Sequence, residues 1–211
     1  MYLPLLDRLL YRQPFEGSSA RRYASAERPA FGDLDDRLLD ELSPALAPAQ
    51  ADRPRRLLDL GCGPGTFAGR AAARFPALTV VAIEPSRDFA RRGLVRATGE
   101  ALPLADRSID VAICLSSIRH VRDRGATLRE LRRVVRGRAV IVELDPEADR
   151  RRIANHAERL GSPVLRRVFG PLVLRTAPPA ATIASLARDA GFALRGLRAD
   201  PVQPVYVMEL V

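Results

Sequence analysis

The chain has 211 residues, of which 47% are hydrophobic and 28% charged, and this suffices for one full-sized domain with its own core. All 34 basic residues are arginines against 25 acidic residues, and a net charge of +9 spread along the chain is weak support for nucleic-acid binding. Aromatic residues make up only 5%, which argues against a base-stacking surface. The two cysteines match neither a disulfide framework nor a metal site, so we expect no metal and a cytoplasmic location.

The first fifty residues are predicted to form an N-terminal helical segment. Asp7 and Arg8 interrupt its first apolar stretch, so we expect neither a secretory signal nor a membrane span there. Four leucines fall on one face of the predicted helix, and this face is expected to pack on the domain: Leu5, Leu6, Leu9 and Leu10.

From Arg55 onward, strand patterns alternate with helix patterns. Buried strands are predicted for RRLLDLG, LTVVAIEP, IDVAICLSS and RAVIVELDP, with a weak short strand at residues 95–97. Between them, helices are predicted for FAGRAAARF, SRDFARRG and RGATLRELRRVV, the second with Ser86 as its N-cap. This alternation favours a parallel sheet covered by helices on both faces.

The C-terminal third begins with a long helical stretch, PEADRRRIANHAERLGSPVLRRVFGP, in which His156 is expected to be exposed to solvent. A helix in AATIASLARDAGF should end at Gly191, and two strands, ALRGLRAD and PVYVMELV, close the chain. The arginines of the long stretch favour either an acceptor with a carboxylate or phosphate or a nucleic-acid backbone, or else a solvated face in an arginine-biased proteome. They are Arg150, Arg151, Arg152, Arg166, Arg167 and Arg175.

Three glycines follow the first strand directly, in LLDLGCGPGTF. Gly61 and Gly63 allow a sharp turn with positive φ, and Gly65 lets the next helix begin close to the strand. The N–H groups at that helix start favour a polar or anionic ligand. Thr66 stands where a dinucleotide fingerprint needs its third glycine, and a chain without lysine has no P-loop. Glu84, which ends the second strand, can accept both hydroxyls of a ribose, so the two features together predict an adenosine site.

Four stretches in this order resemble the class I S-adenosylmethionine-dependent methyltransferases, in particular the small-molecule branch related to quinone-biosynthesis C-methyltransferases. They are LLDLGCGPG, VVAIEPS, ATGEALPLADRSIDVAICLSSIRHV and LRELRRVVRGRAVIVELDP, and they cover residues 55–146. The resemblance implies a doubly wound α/β fold, with a mostly parallel, seven-stranded Rossmann-like sheet that has an antiparallel C-terminal strand.

We predict a single methyltransferase domain over residues 1–211. It comprises the N-terminal helical segment (1–50), a cofactor-binding core (55–146), a lid-like helical insertion (147–180), and a C-terminal helix with a strand pair (181–211).

The resemblance implies S-adenosylmethionine as the cofactor and indicates which residues contact it. Asp59 would hold the methionine amino group and Glu84 the ribose hydroxyls. At the adenine edge, Thr98 stands where the family usually has an aspartate, and its hydroxyl is a weaker partner for the adenine amine. The full implied set is Asp59, Gly61, Cys62, Gly63, Gly65, Glu84, Pro85, Thr98, Gly99, Glu100, Leu115 and Ser116.

Methyl transfer from a sulfonium ion is a direct displacement, so positioning of the acceptor supplies most of the effect. A base is needed only when the acceptor loses a proton, and His120 is the candidate for that role. The alternative is a structural histidine that holds its loop. Tyr23, which follows Tyr11 and Phe15, is a further candidate contact, whereas Asp110 is expected to be structural.

We therefore predict an S-adenosylmethionine-dependent methyltransferase that acts on a small-molecule acceptor, a metabolite or natural-product intermediate. Three alternatives stay open: an RNA or protein methyltransferase, an S-adenosylmethionine-binding protein without transfer activity, and a nicotinamide oxidoreductase of the same fold. The sequence does not separate O-, N- and C-methylation, and it leaves the oligomeric state open.

Overall fold

A computed structural model of the protein describes residues 2–10, 16–18, 20–21, 31–47, 53–89, 93–160 and 162–211. Helices α1 (Pro4–Leu10) and α2 (Leu34–Leu46) lie before the sheet in the chain. The central elements are β1 (Arg56–Leu60), α3 (Thr66–Arg74), β2 (Thr79–Ile83), β3 (Leu94–Val95), β4 (Ile109–Leu115), α4 (Arg124–Val134) and β5 (Val135–Leu144). The C-terminal elements are α5 (Arg150–Glu158), α6 (Pro163–Val168), α7 (Ala180–Asp189), β6 (Leu194–Ala199) and β7 (Val205–Leu210).

The seven strands form one sheet in the order β3-β2-β1-β4-β5-β7-β6. Strands β1 to β5 pair in parallel, and β7 runs antiparallel to both β5 and β6. This confirms the predicted doubly wound sheet with its antiparallel C-terminal strand. The winding direction reverses between β1 and β4, and in such sheets ligands bind at the carboxyl ends of the strands beside that reversal.

The core consists of two apolar layers, one on each face of the sheet. Every residue of β4 is buried, because helices cover both faces of a central parallel strand. Alternate strand residues therefore pack on opposite helices. On one face Leu58, Ala112 and Ile141 meet Leu128 of α4 and Ile183 of α7. On the other face Leu57, Val111 and Val140 meet Leu38 of α2 and Phe67 of α3.

Several predicted helices have different bounds in the structure. Within SRDFARRG, the described part contains only a 3₁₀ turn at Arg87–Phe89, where the Ser86 hydroxyl accepts a hydrogen bond from the Asp88 N–H at 3.2 Å. The long stretch predicted to be helical is divided into α5, α6, a π-helical turn (Phe169–Val173) and a 3₁₀ turn (Leu174–Thr176). Gly191, with a φ of +88°, follows α7 as predicted.

The prediction that the leucine face of α1 packs on the domain is wrong. Leu5 and Leu9 are 68% and 63% exposed, whereas Asp7 is fully buried. The Asp7 carboxylate forms an ion pair with Arg124 at 2.8 Å and accepts a hydrogen bond from the Tyr2 hydroxyl at 2.7 Å. Helix α1 is thus attached through a buried charge pair, which apolar periodicity does not reveal.

The prediction that His156 faces solvent is also wrong. Its side chain is 3% exposed, stacks on Phe169 with 4.7 Å between ring centroids, and meets the edge of Phe31 at 5.0 Å. Its Nδ1 atom lies 2.9 Å from the Gln203 amide oxygen. Burial lowers the pKa of His156, and this buried ring ties α5 to the loop before β7.

In the described part of the chain, no helix is both long and apolar enough to cross a bilayer.

Candidate active site

The glycine turn after β1 has a backbone that other residues would not adopt without strain. Gly61, Gly63 and Gly65 have φ values of +69°, +52° and +76°. The N–H groups of Gly61 and Cys62 both donate to the Ile83 carbonyl of β2, at 2.8 and 3.1 Å. These bonds fold the turn against the end of β2, where Glu84 follows.

Gly61 is also required because of its neighbour across the sheet. A Cβ at this position would lie 2.5 Å from the Cβ of Ser117, closer than side chains approach in proteins. The Ser117 hydroxyl donates to the Leu60 carbonyl at 2.7 Å and therefore fixes the spacing between the ends of β1 and β4. Sequence reasoning did not identify Ser117, because its role depends on a contact between distant strands.

Asp59 lies at the carboxyl end of β1 with its side chain buried. Its Oδ2 accepts a hydrogen bond at 3.2 Å from the N–H of Ala68, in the first turn of α3. N–H groups in the first turn of a helix lack partners within the helix, and a carboxylate there is favoured by the helix dipole. Asp59 thus joins the strand to the helix on either side of the glycine turn.

Glu84 directly follows β2, beside the glycine turn, and it is 6% exposed. Its two carboxylate oxygens accept from the Gly63 N–H at 2.9 Å and from the Ser86 N–H at 3.0 Å. Burial raises the pKa of Glu84, and the two N–H donors partly oppose this rise. The carboxylate is therefore held in one orientation beside the turn, without a cationic side chain among the hydrogen-bond donors to it in the described residues.

Leu115 ends β4 and Ser116 follows it, on the opposite side of β1 from Glu84. Ser116 has a φ of +52°, a left-handed conformation that costs energy for a residue other than glycine. Its hydroxyl is buried and has no hydrogen-bond partner among the described residues. Strained backbone and an unsatisfied buried hydroxyl at a strand end are both features that concentrate at ligand sites.

The residues predicted to contact the adenine lie in and around the segment 98–100. Thr98 is exposed, and the described residues show no hydrogen bond between positions 98–100 and the glycine turn. The missing side chain of Gly99 leaves room for Thr127 of α4, whose methyl carbon would lie 2.7 Å from a Cβ there. Glu100 accepts a hydrogen bond from the Asp123 N–H at 2.9 Å. Pro85, half-buried beside Glu84, accepts from Arg96 Nε at 3.4 Å.

His120 lies in a 3₁₀ turn (Ile118–His120) directly after Ser116 and Ser117, and it is half-buried. Its N–H donates to the Ser117 carbonyl at 2.9 Å. The neighbouring Arg119 N–H donates to the buried Glu143 carboxylate at 3.2 Å, and burial raises the pKa of Glu143. The Arg124 guanidinium donates to the carbonyls of Ile118 and Arg119 at 3.1 and 3.2 Å, so the turn is fixed on two sides.

Arg119 also joins this turn to the region after α6. Its guanidinium donates to the Val173 carbonyl at 2.9 Å and to the Thr176 hydroxyl at 2.7 Å. Sequence reasoning missed Arg119, Arg124 and Glu143, because in an arginine-rich chain no local signal separates a buried arginine from a solvated one. The candidate contact Tyr23 lies outside the described residues, as do Tyr11 and Phe15.

Comparison with known proteins identifies the domain. Residues 58–142 match the family model described as a methyltransferase domain. This match confirms the resemblance of the chain to the class I S-adenosylmethionine-dependent methyltransferases. The S-adenosylmethionine-dependent methyltransferase of Aquifex aeolicus has the same fold as this methyltransferase domain, with a TM-score of 0.69 and 15% identity over 93% of this chain and 98% of that one.

Two curated relatives resemble parts of the chain. An uncharacterized 37.1 kDa protein in a transposon of Streptomyces fradiae is 34% identical over 65% of this chain and 43% of its own length. The ubiquinone/menaquinone biosynthesis C-methyltransferase of Geotalea uraniireducens is 34% identical over 42% of this chain and 45% of its own length. The chain thus spans less than half the length of these relatives.

S-adenosylmethionine is the cofactor of this class of domain, and the residues present fit it. The glycine turn presents backbone without side chains at Gly61, Gly63 and Gly65, each with a positive φ. Glu84 is a buried carboxylate that can accept from two ribose hydroxyls, and the unsatisfied Ser116 hydroxyl is a polar atom that a ligand can satisfy. The site thus has a shape and a set of donors and acceptors that suit an adenosine ligand with a charged tail.

Proposed function

We propose that this protein transfers a methyl group from S-adenosylmethionine to a small-molecule acceptor. The observation that carries the proposal is the junction of Glu84 with the glycine turn, in which the Gly63 N–H donates to the Glu84 carboxylate at 2.9 Å. In this junction, a carboxylate that can accept hydrogen bonds from ribose hydroxyls lies beside a backbone without side chains, and this supports an adenosine site. The match of residues 58–142 to the methyltransferase domain supports this reading over a nicotinamide oxidoreductase.

The chain's own residues would hold the cofactor at the carboxyl ends of β1, β2 and β4. Bound S-adenosylmethionine supplies an electrophilic methyl group carried on a sulfonium sulfur. Asp59 would pair with the amino group of the methionine part, and Glu84 with the ribose hydroxyls. Leu115 and Ser116 would lie beside the sulfur, where the buried Ser116 hydroxyl is free of other partners in the described residues. The remaining proposed contacts are Gly61, Cys62, Gly63, Gly65, Pro85, Thr98, Gly99 and Glu100.

His120 is proposed to accept a proton from an acceptor that must lose one. A histidine suits this role because its ordinary pKa lies close to neutral pH. Its turn is fixed by Arg119 and Arg124, and proximity and orientation supply most of the rate gain in a displacement. The two arginines are positioning residues in this proposal, and His120 is the residue that meets the acceptor.

A small acceptor is supported by the relative that acts in ubiquinone and menaquinone biosynthesis. We propose that the region 147–180 forms the lid. Several of its arginines are engaged in contacts within the fold and do not form a surface for a macromolecular substrate, which also supports a small acceptor. Arg152 bonds to the Asp149 carboxylate and the Asp200 carbonyl, and Arg166 donates to the Leu160 carbonyl at 2.7 Å. We further propose a cytoplasmic setting, which the two free thiols support.

The test is the release of S-adenosylhomocysteine when the purified protein is incubated with S-adenosylmethionine and a panel of phenols, quinols, amines and carboxylic acids. The wild type is expected to release it with at least one acceptor. Glu84→Gln should raise the KM for S-adenosylmethionine, whereas His120→Gln should lower kcat and leave cofactor binding unchanged. The matched control is Glu158→Gln, which removes the same negative charge from an exposed position.

Turnover with RNA or with a protein substrate alone would replace the small-molecule acceptor with a macromolecular one. Tight cofactor binding without turnover of any acceptor would instead favour a binding protein without transfer activity.

A further inference from the structure

The amino end of the sheet, opposite the glycine turn, carries an unusual group of arginines around one carboxylate. Asp110, near the start of β4, has a side chain that is 5% exposed. It accepts from Arg53 at 3.3 Å, from Arg55 at 3.2 Å, from Arg136, and from the Arg56 N–H at 2.8 Å. This confirms the expectation that Asp110 is structural, because its carboxylate joins the segment before β1 to β5.

A β-bulge brings Arg136 to this carboxylate. The pairing register of β4 and β5 shifts by one residue here, and Gly137 lies in the shifted part. A Cβ on Gly137 would lie 2.1 Å from the Asp110 carbonyl oxygen, so no other residue type fits without movement of the backbone. Bulges redirect side chains at sheet edges and often accompany binding sites.

An open cavity of about 390 Å³ lies at this end of the sheet. Four arginines line it, together with Thr79 and Ser108: Arg53, Arg56, Arg107 and Arg136. The Ser108 hydroxyl is buried and has no hydrogen-bond partner in the described part of the chain. Arg107 has a φ of +51°, a strained backbone conformation that places its side chain on the cavity wall.

The charge at this cavity is far from balanced. Arg53, Arg55 and Arg136 share the single carboxylate of Asp110. Among the described residues, no carboxylate lies within salt-bridge distance of Arg56 or Arg107. Among the described residues, the four arginines of the cavity wall and Arg55 beside them outnumber the single carboxylate of Asp110, and the mutual repulsion of their guanidinium groups would fall if a polyvalent anion entered the cavity. Guanidinium groups also present planar pairs of N–H donors that match phosphate oxygens.

We propose that this cavity binds a small molecule that carries a di- or triphosphate group. The excess positive charge matches a polyvalent anion better than a monovalent one, and a cavity of this size favours a compact ligand over a nucleic-acid strand. The site is separate from the cofactor site, because the two lie at opposite ends of β1, about 13 Å apart along the strand. This inference does not depend on the proposed methyl transfer.

The experiment is a calorimetric titration with inorganic diphosphate and triphosphate, at about 0.15 M salt and with saturating S-adenosylhomocysteine present. The test variant is Arg56→Gln/Arg107→Gln, because neither side chain bonds to Asp110 and the ion-pair group stays intact. The control is Arg151→Gln/Arg167→Gln, which removes two exposed arginines elsewhere. The test variant should bind triphosphate at least tenfold more weakly than the wild type, whereas the control should stay within about twofold.

Three results would overturn the proposal. The first is no heat of binding with either phosphate in the wild type, and the second is an equal loss of affinity in both double variants. The third is binding of a single-stranded oligonucleotide without binding of triphosphate, which would make this end of the sheet a nucleic-acid surface. Thermal unfolding of each variant distinguishes lost binding from lost folding.

Discussion

Replacement of Asp7 by asparagine should weaken the attachment of α1 by about 3 kcal/mol. The side chains of Arg124 and Asp7 are 2% and 0% exposed, so the substitution leaves a buried guanidinium without its counter-charge. Removal of one partner from a buried ion pair costs about 3–5 kcal/mol. The lower value applies because Arg124 keeps the carbonyls of Ile118 and Arg119 as acceptors. Since these carbonyls belong to the turn that contains His120, the substitution should also loosen that turn.

The assay combines urea unfolding with amide hydrogen exchange of residues 2–10 and 118–120. The control is Asp36→Asn. Asp36 pairs with Arg70 at 2.8 Å, but the two side chains are 55% and 45% exposed, so loss of this ion pair should cost less than about 1 kcal/mol. In a double-mutant cycle, Arg124→Met should restore part of the stability lost in Asp7→Asn. Equal and small effects of Asp7→Asn and Asp36→Asn on both measurements would refute the reasoning.

Three further predictions concern the glycine turn, the thiols and Glu84. Gly61→Ala should lower the free energy of unfolding by about 2 kcal/mol, because alanine is strained in the left-handed conformation and its Cβ would collide with Ser117. Gly69→Ala in α3, where no atom lies within 4 Å of an added Cβ, should leave that free energy unchanged or raise it by up to about 1 kcal/mol. Thermal melting that ranks the two variants the other way would contradict this. Burial raises the pKa of Cys114 to about 12, so a thiol reagent should modify Cys62 alone in the folded protein. S-adenosylhomocysteine should slow that reaction. Rapid modification of both thiols would show instead that the core around β4 is open. Burial raises the pKa of Glu84 above its usual 4.5, so the folded state binds the proton more tightly than the unfolded state does. The stability of the wild type relative to Glu84→Gln should therefore fall as the pH rises from 4.5 through the raised pKa. If urea unfolding showed a stability difference that is flat or rises across this interval, the result would be inconsistent with a buried carboxylate.

The strands and the glycine turn could be predicted because their signals are local. After Asp110, the rest of IDVAICL is apolar without alternation, a pattern typical of a strand that is buried on both faces. The turn combines three glycines with a strand before it and a helix after it, and all three adopt the positive φ that only glycine adopts readily. The seven-stranded order then follows from the resemblance of these motifs to a known class of domain.

The errors share a different physical origin, which is contact between residues far apart in sequence. Asp7 is buried because Arg124, more than a hundred positions away, supplies its counter-charge. His156 is buried because Phe31 and Phe169 meet on its ring. Local periodicity assigns a polar residue to solvent by default, so a buried polar residue with a distant partner is the case that it misses.

The measurement that tests the central claim most directly is a calorimetric titration of the wild type, Glu84→Gln and Glu158→Gln with S-adenosylhomocysteine, with NAD as a second ligand. If Glu84 and the glycine turn form the cofactor site, the wild type and Glu158→Gln should bind S-adenosylhomocysteine equally well and Glu84→Gln at least tenfold more weakly, because two hydrogen bonds to a charged acceptor are lost. NAD should not bind. Equal affinity of all three proteins for S-adenosylhomocysteine, or binding of NAD alone, would contradict the account.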